Sequence, residues 1–90
     1  MSNPHQIPLS EWQPVLPNGE GMVILVVYDH PTDYPHHYVL RPWIIMAGKV
    51  EAYAWPYLCE DDSFGGQISP AFSAAAPQPE DDPSIVRVYL

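Results

Sequence analysis

Residues 22–28 (Met-Val-Ile-Leu-Val-Val-Tyr) form an apolar run with no polar interruption, dominated by β-branched side chains. That pattern predicts a strand covered on both faces. Strand-like composition returns over residues 38–46, but Pro42 has no N–H to give a ladder, which predicts an edge or bulged position for this second strand. Ala47-Gly48-Lys49 supplies a turn into residues 50–58, where the alternation is cleaner. There Glu51, Tyr53, Trp55 and Tyr57 share one face, with Val50, Ala52, Ala54, Pro56 and Leu58 on the other. Residues 84–90 read as a terminal strand. The first and last strands are the most continuously apolar and are the expected central pair.

The intervening segments are polar and rich in turn formers. Residues 29–37 carry Pro31 and Pro35, each of which biases its predecessor away from helix, and predict a long loop. Residues 60–66 are acidic and glycine-rich, and Ser69-Pro70 predicts the cap and first residue of a short helix reaching about Ala76. A further loop spans 77–83. Residues 1–21 hold Pro4, Pro8, Pro14 and Pro17 and the turn-prone Pro17-Asn18-Gly19, so they are expected to form an extended arm. Ile7, Leu9, Trp12, Val15 and Leu16 are the residues able to tie that arm down. The expected organisation is a proline-rich arm over 1–21 and one compact β-rich domain over 22–90. Its class is α+β, β-rich: a small antiparallel sheet of about three or four strands with at most one short helix.

Composition narrows the function classes. A chain of 90 residues with 47% hydrophobic positions and eleven aromatics can close one core without staples. Twelve prolines argue against an all-helical fold. The single Cys59 excludes an internal disulfide, and the chain start does not resemble a signal peptide, which points to a reducing, cytoplasmic setting. The run at 22–28 is far shorter than the roughly twenty residues of a membrane-spanning helix. Arg41, Lys49 and Arg87 stand against eleven acidic residues, for a formal charge of −8. Such a charge disfavours direct binding to nucleic acid or to anionic membranes and favours a protein partner with a basic surface. The aromatics are interleaved with carboxylates and prolines, unlike the basic stacking platforms that bind single strands.

Four constellations carry candidate chemistry. Asp29, His30, Asp33, His36 and His37 offer carboxylate and imidazole ligands for a divalent metal, or simply turn caps and solvated side chains. Cys59 with a histidine is a nucleophile–base pair on paper, and otherwise a small buried hydrophobe. The stripe Tyr53, Trp55 and Tyr57 reads mainly as core, with Trp55 the candidate for a partner interface. Two acidic triplets, Glu60-Asp61-Asp62 and Glu80-Asp81-Asp82, are either solvated loops or a charged surface that imitates phosphates. In an extended segment Glu60 and Asp62 would stand about 6.8 Å apart, near two axial phosphate steps of one DNA strand. No metal, cofactor or catalytic residue is assigned, and the expected function is binding rather than turnover.

Three segments carry a resemblance: residues 28–35 (Tyr-Asp-His-Pro-Thr-Asp-Tyr-Pro), 38–43 (Tyr-Val-Leu-Arg-Pro-Trp) and 80–90 (Glu-Asp-Asp-Pro-Ser-Ile-Val-Arg-Val-Tyr-Leu). Together they resemble a group of short proteins encoded in phages, prophages and bacterial genomes. Pro42 departs from the second basic residue of that pattern. The resemblance implies a phage or mobile-element origin and action inside a host cell. By analogy with other small acidic phage proteins it implies an anti-CRISPR or other anti-defence inhibitor. A metal-dependent accessory protein or enzyme using residues 29–37, or a structural protein of a phage particle, are the alternatives.

Overall fold

The computed structural model describes residues 6–16, 19–78 and 82–90. Their main feature is one antiparallel sheet of six strands. These are β1 (Gly21–Asp29), β2 (Tyr38–Met46), β3 (Lys49–Ala52), β4 (Tyr57–Cys59), β5 (Ala74–Ala75) and β6 (Ile85–Tyr89). The spatial order is β3-β2-β1-β6-β5, with β4 pairing the first residues of β2 on the edge that β3 occupies further along. The β-rich antiparallel class matches expectation, and so does the central β1–β6 pair. The strand count is higher than the three or four expected, because two of the six are fragments of two and three residues.

No α-helix occurs among the described residues, only 3-10 turns at Leu9–Glu11 and Phe64–Gly66. The helix predicted from Ser69 does not form. Ser69 Oγ instead accepts the Ala71 N–H at 3.2 Å, closing a local turn. Ser73 then exchanges two backbone hydrogen bonds with Leu90 at 2.9 Å, drawing Ala74 and Ala75 into the sheet beside β6. Among the described residues no helix is long and apolar enough to cross a membrane.

Pro42 acts differently from expectation. It lies in an interior strand, paired with Leu25 of β1. Its carbonyl accepts the Tyr53 N–H at 2.9 Å, so the backbone edge on which proline lacks a donor faces β3 and β4. The cost falls on the neighbour. β3 ends at Ala52, β4 begins at Tyr57, and the single strand predicted over 50–58 is broken opposite the missing N–H.

Residues 53–57 receive the N-terminal segment at this break. Gln6 Nε2 donates to the carbonyls of Trp55 (2.9 Å) and Pro56 (3.1 Å), and the Ile7 N–H donates to the Tyr53 hydroxyl at 3.1 Å. Trp12 Nε1 donates to the Tyr57 hydroxyl at 2.8 Å, and that hydroxyl donates in turn to the Ile7 carbonyl. Burial raises the Tyr57 pKa above its ordinary 10.0, the Trp12 bond only partly opposing it. The unfolded chain therefore loses this phenolic proton first. Stability should hold below the ordinary tyrosine value and decline as pH climbs through the higher folded value. Denaturant titrations at about pH 9 and about pH 11 test this, since Tyr57→Phe should flatten part of the alkaline decline.

Strand register divides the sheet into two unlike faces. Val23, Leu25 and Val27 of β1 share one face with Leu40 and Pro42 of β2 and Tyr89 of β6, all buried. Leu9, Trp12, Phe64 and Phe72 close over them as the core. The alternate residues face the other way: Met22, Ile24, Val26 and Tyr28, with Val39, Arg41, Trp43 and Ile45 opposite them on β2. On that side Val26 and Val39 are buried, but Met22 stays 46% exposed and Val50 of β3 63% exposed. Ile24, Trp43 and Ile45 are only partly covered. The expectation that residues 22–28 are covered on both faces is thus corrected in part: among the described residues the arm and the 60–72 segment pack on one side, while the second face is buried at Val26 and Val39 and open toward Met22 and Val50.

Gly21 occupies a position with no room for a side chain. A Cβ there would stand 2.7 Å from the Ile45 carbonyl oxygen, 2.8 Å from Leu16 Cδ1 and 2.9 Å from Met46 Cγ. The carbonyl belongs to the neighbouring strand and cannot swing aside. Gly21→Ala should therefore cost about 1–3 kcal/mol, read as a lower urea midpoint at unchanged slope.

Candidate binding surface

Topology gathers the acidic residues. β1 ends at Asp29, β2 starts at Tyr38, β4 ends at Cys59 and β6 starts at Ile85. In an antiparallel sheet these four strand ends lie together. Asp29, Asp33, Glu60, Asp61, Asp62 and Asp82 are thereby brought to one end, across three strand spacings or about 14 Å. Glu80 and Asp81, the rest of the second predicted triplet, lie outside the described residues.

The six acids are not equivalent. Asp62 Oδ2 accepts from Arg87 Nη1 at 2.6 Å. Arg87 lies across from Val27 in regular register, on the closed face, and a β-bulge adjoins it, with Ile85 across from Tyr28 and Val86 as the extra residue. Asp82 Oδ1 accepts both the Ser84 N–H (2.9 Å) and the Ser84 hydroxyl (2.8 Å), and these bonds hold its pKa below the usual carboxylate value. Asp61 lies 3.5 Å from Cys59 Sγ, and Glu60 is exposed. Residues 60–62 bend instead of extending. The extended spacing that suggested a phosphate ladder is not adopted, because Asp62 turns back to its arginine.

In the loop before β2, His30 has a left-handed backbone (φ 48°), which lets its N–H reach the His37 carbonyl at 3.0 Å. Its Nδ1 contacts Asp29 Oδ1, and its ring meets Tyr38 edge-on at 5.0 Å. Asp33 points elsewhere, to Arg41, with Oδ2 to Nη2 at 3.5 Å. Among the described residues no three His, Cys, Asp or Glu side chains converge as metal ligands. The described polar contacts of Cys59 are Ser63 Oγ at 3.2 Å and Asp61, a hydroxyl and a carboxylate in place of an imidazole base.

A pocket of about 600 Å³ opens on the uncovered face beside this acidic end. Tyr28, Val39 and Trp43 give it apolar and aromatic surface, Arg41 rises between them, and Thr32, Asp33, Asp82 and Ser84 contribute polar groups. Sequence reasoning missed Tyr28, Arg41 and Trp43 as site residues, since the first strand was expected to be covered on both faces and the second to be an edge or bulged strand with no site on it. The available signal was Arg41, a lone charge on the same strand face as Val39 and Trp43. Trp55, the predicted interface aromatic, is 38% exposed but belongs to the N-terminal clasp, edge-on to Tyr53 at 5.6 Å. The sites called from sequence are thus split: Asp82 lines the open-face pocket, Glu60, Asp61 and Asp62 share its end of the sheet, and Trp55 stands apart.

Comparison of the chain with protein-family models, with curated proteins and with solved structures gives no match.

Proposed function

We propose that this is a non-enzymatic binding protein that docks its open sheet face, acidic end included, on a basic surface of a partner protein. The observation that carries the reading is an apolar sheet face, exposed at Met22 and Val50, that opens a pocket beside the acidic end of the same sheet. Large exposed apolar patches mark interaction sites, and a carboxylate border selects partners whose own apolar surface is ringed by lysine and arginine. The overall charge of −8 opposes docking of a second copy of this chain and accelerates encounter with a basic one. With the phage resemblance, the proposed role is inhibition of a host complex, such as a CRISPR effector, by covering the basic surface that holds its nucleic acid.

The test is binding to the purified host complex at low and high salt. Reversing Asp33, Glu60 and Asp61 to lysine together should weaken binding by roughly tenfold or more at low ionic strength, mostly through a slower on-rate. The difference should shrink in about 0.5 M salt. Affinity that responds neither to salt nor to these reversals would sink the electrostatic part of the proposal.

A further inference from the structure

We infer that the open-face pocket is the receptor for one arginine side chain of the partner. The inference rests on the proposed function and names the group that function would recognise. The pocket holds two carboxylates, Asp33 and Asp82, against one guanidinium, Arg41, and also the His30 ring, whose Nδ1 is engaged by Asp29; with that imidazole neutral the formal excess is one negative charge, inside a strongly acidic protein. Both bonds from Ser84 fall on Oδ1 of Asp82, which leaves Oδ2 outside them. The contact of Asp33 Oδ2 with Arg41 is 3.5 Å, longer than the roughly 2.7–2.9 Å of a tight charge-assisted bond. Each carboxylate thus has acceptor capacity for an incoming cation.

The apolar part of the pocket selects among cations. Tyr28 and Trp43 both line it, on neighbouring strands. A planar guanidinium stacks on such rings while donating in its plane to carboxylates, and its aliphatic stem covers apolar wall. An ammonium group is a hydrated point charge that gains less from the rings. An anionic guest would find Arg41 but would meet Asp33, Asp82 and the field of the whole chain. A volume of about 600 Å³ admits a complete arginine side chain with water around it.

The test is an NMR titration of the ¹⁵N-labelled full chain with a blocked oligoarginine peptide, a matched oligolysine peptide and inorganic phosphate. Oligoarginine should produce saturable shifts at the amides of residues 28–33, 39–43 and 82–84, with affinity at least about fivefold above oligolysine. Trp43→Ala should weaken it about tenfold. Asp82→Asn, which keeps an acceptor for Ser84 and removes only the charge, should weaken it severalfold, and stands in should Trp43→Ala fail to fold. Equal affinity for the two peptides, shifts confined to residues 60–62, or phosphate shifts centred on Arg41 would each overturn the arginine assignment. If the pocket ignores oligoarginine while binding to the host complex keeps its salt dependence, this inference falls and the wider function stands. Loss of both counts against the function itself.

Discussion

Replacing Phe64 with alanine should lower the unfolding free energy by about 3–5 kcal/mol, a large share of the roughly 5–13 kcal/mol expected for a chain this size. Phe64 is 1% exposed and among the largest fully buried side chains, yet it comes from a three-residue 3-10 turn and not from a strand. It is how the 60–72 segment is held to the sheet. Phe72 is held with it in the same cluster, and the turn fixes the segment from which Asp62 reaches Arg87. Urea denaturation measures the loss. An effect below about 1 kcal/mol would mean that the segment does not close this core.

The open face should respond in the opposite manner. Met22→Lys combined with Val50→Lys should change folding stability by less than about 1 kcal/mol, since both side chains already meet solvent. The same pair should reduce affinity for the host complex on the order of a hundredfold, because two uncompensated cations would enter an apolar contact facing a basic partner. The contrast is diagnostic. A core built on both faces would make the double substitution destabilising, and a partner docking elsewhere would leave affinity intact.

Much of the architecture was legible in the hydrophobic pattern. The run at 22–28 is an interior strand and pairs with the last strand, as continuous apolarity suggested. What the pattern did not carry was the number of layers. A strand with two apolar faces looks the same whether its second face meets its own chain or another molecule, so β1 was read as buried twice over. Pro42 was legible as a defect, but its consequence fell on residues 53–56 across the ladder, a non-local effect. The Ser69-Pro70 signal for a helix lost to the pull of the β6 edge on Ala74 and Ala75. For the site, the acidic triplets were visible in the sequence, whereas the pocket was not, because Tyr28 joins Arg41 and Trp43 only through the β1–β2 register.

Hydroxyl-radical footprinting, read residue by residue with and without the host complex, tests the two-faced sheet most directly. In the free protein Met22 and Trp43 should oxidise faster than Trp12, Phe64 and Phe72, the side chains of the closed face. On binding, Met22 and Trp43 should become protected while Trp55, on the N-terminal clasp, keeps its reactivity. Equal oxidation of Trp43 and Trp12 in the free chain, or protection of Trp55 with Met22 and Trp43 unchanged, would contradict an open face that binds.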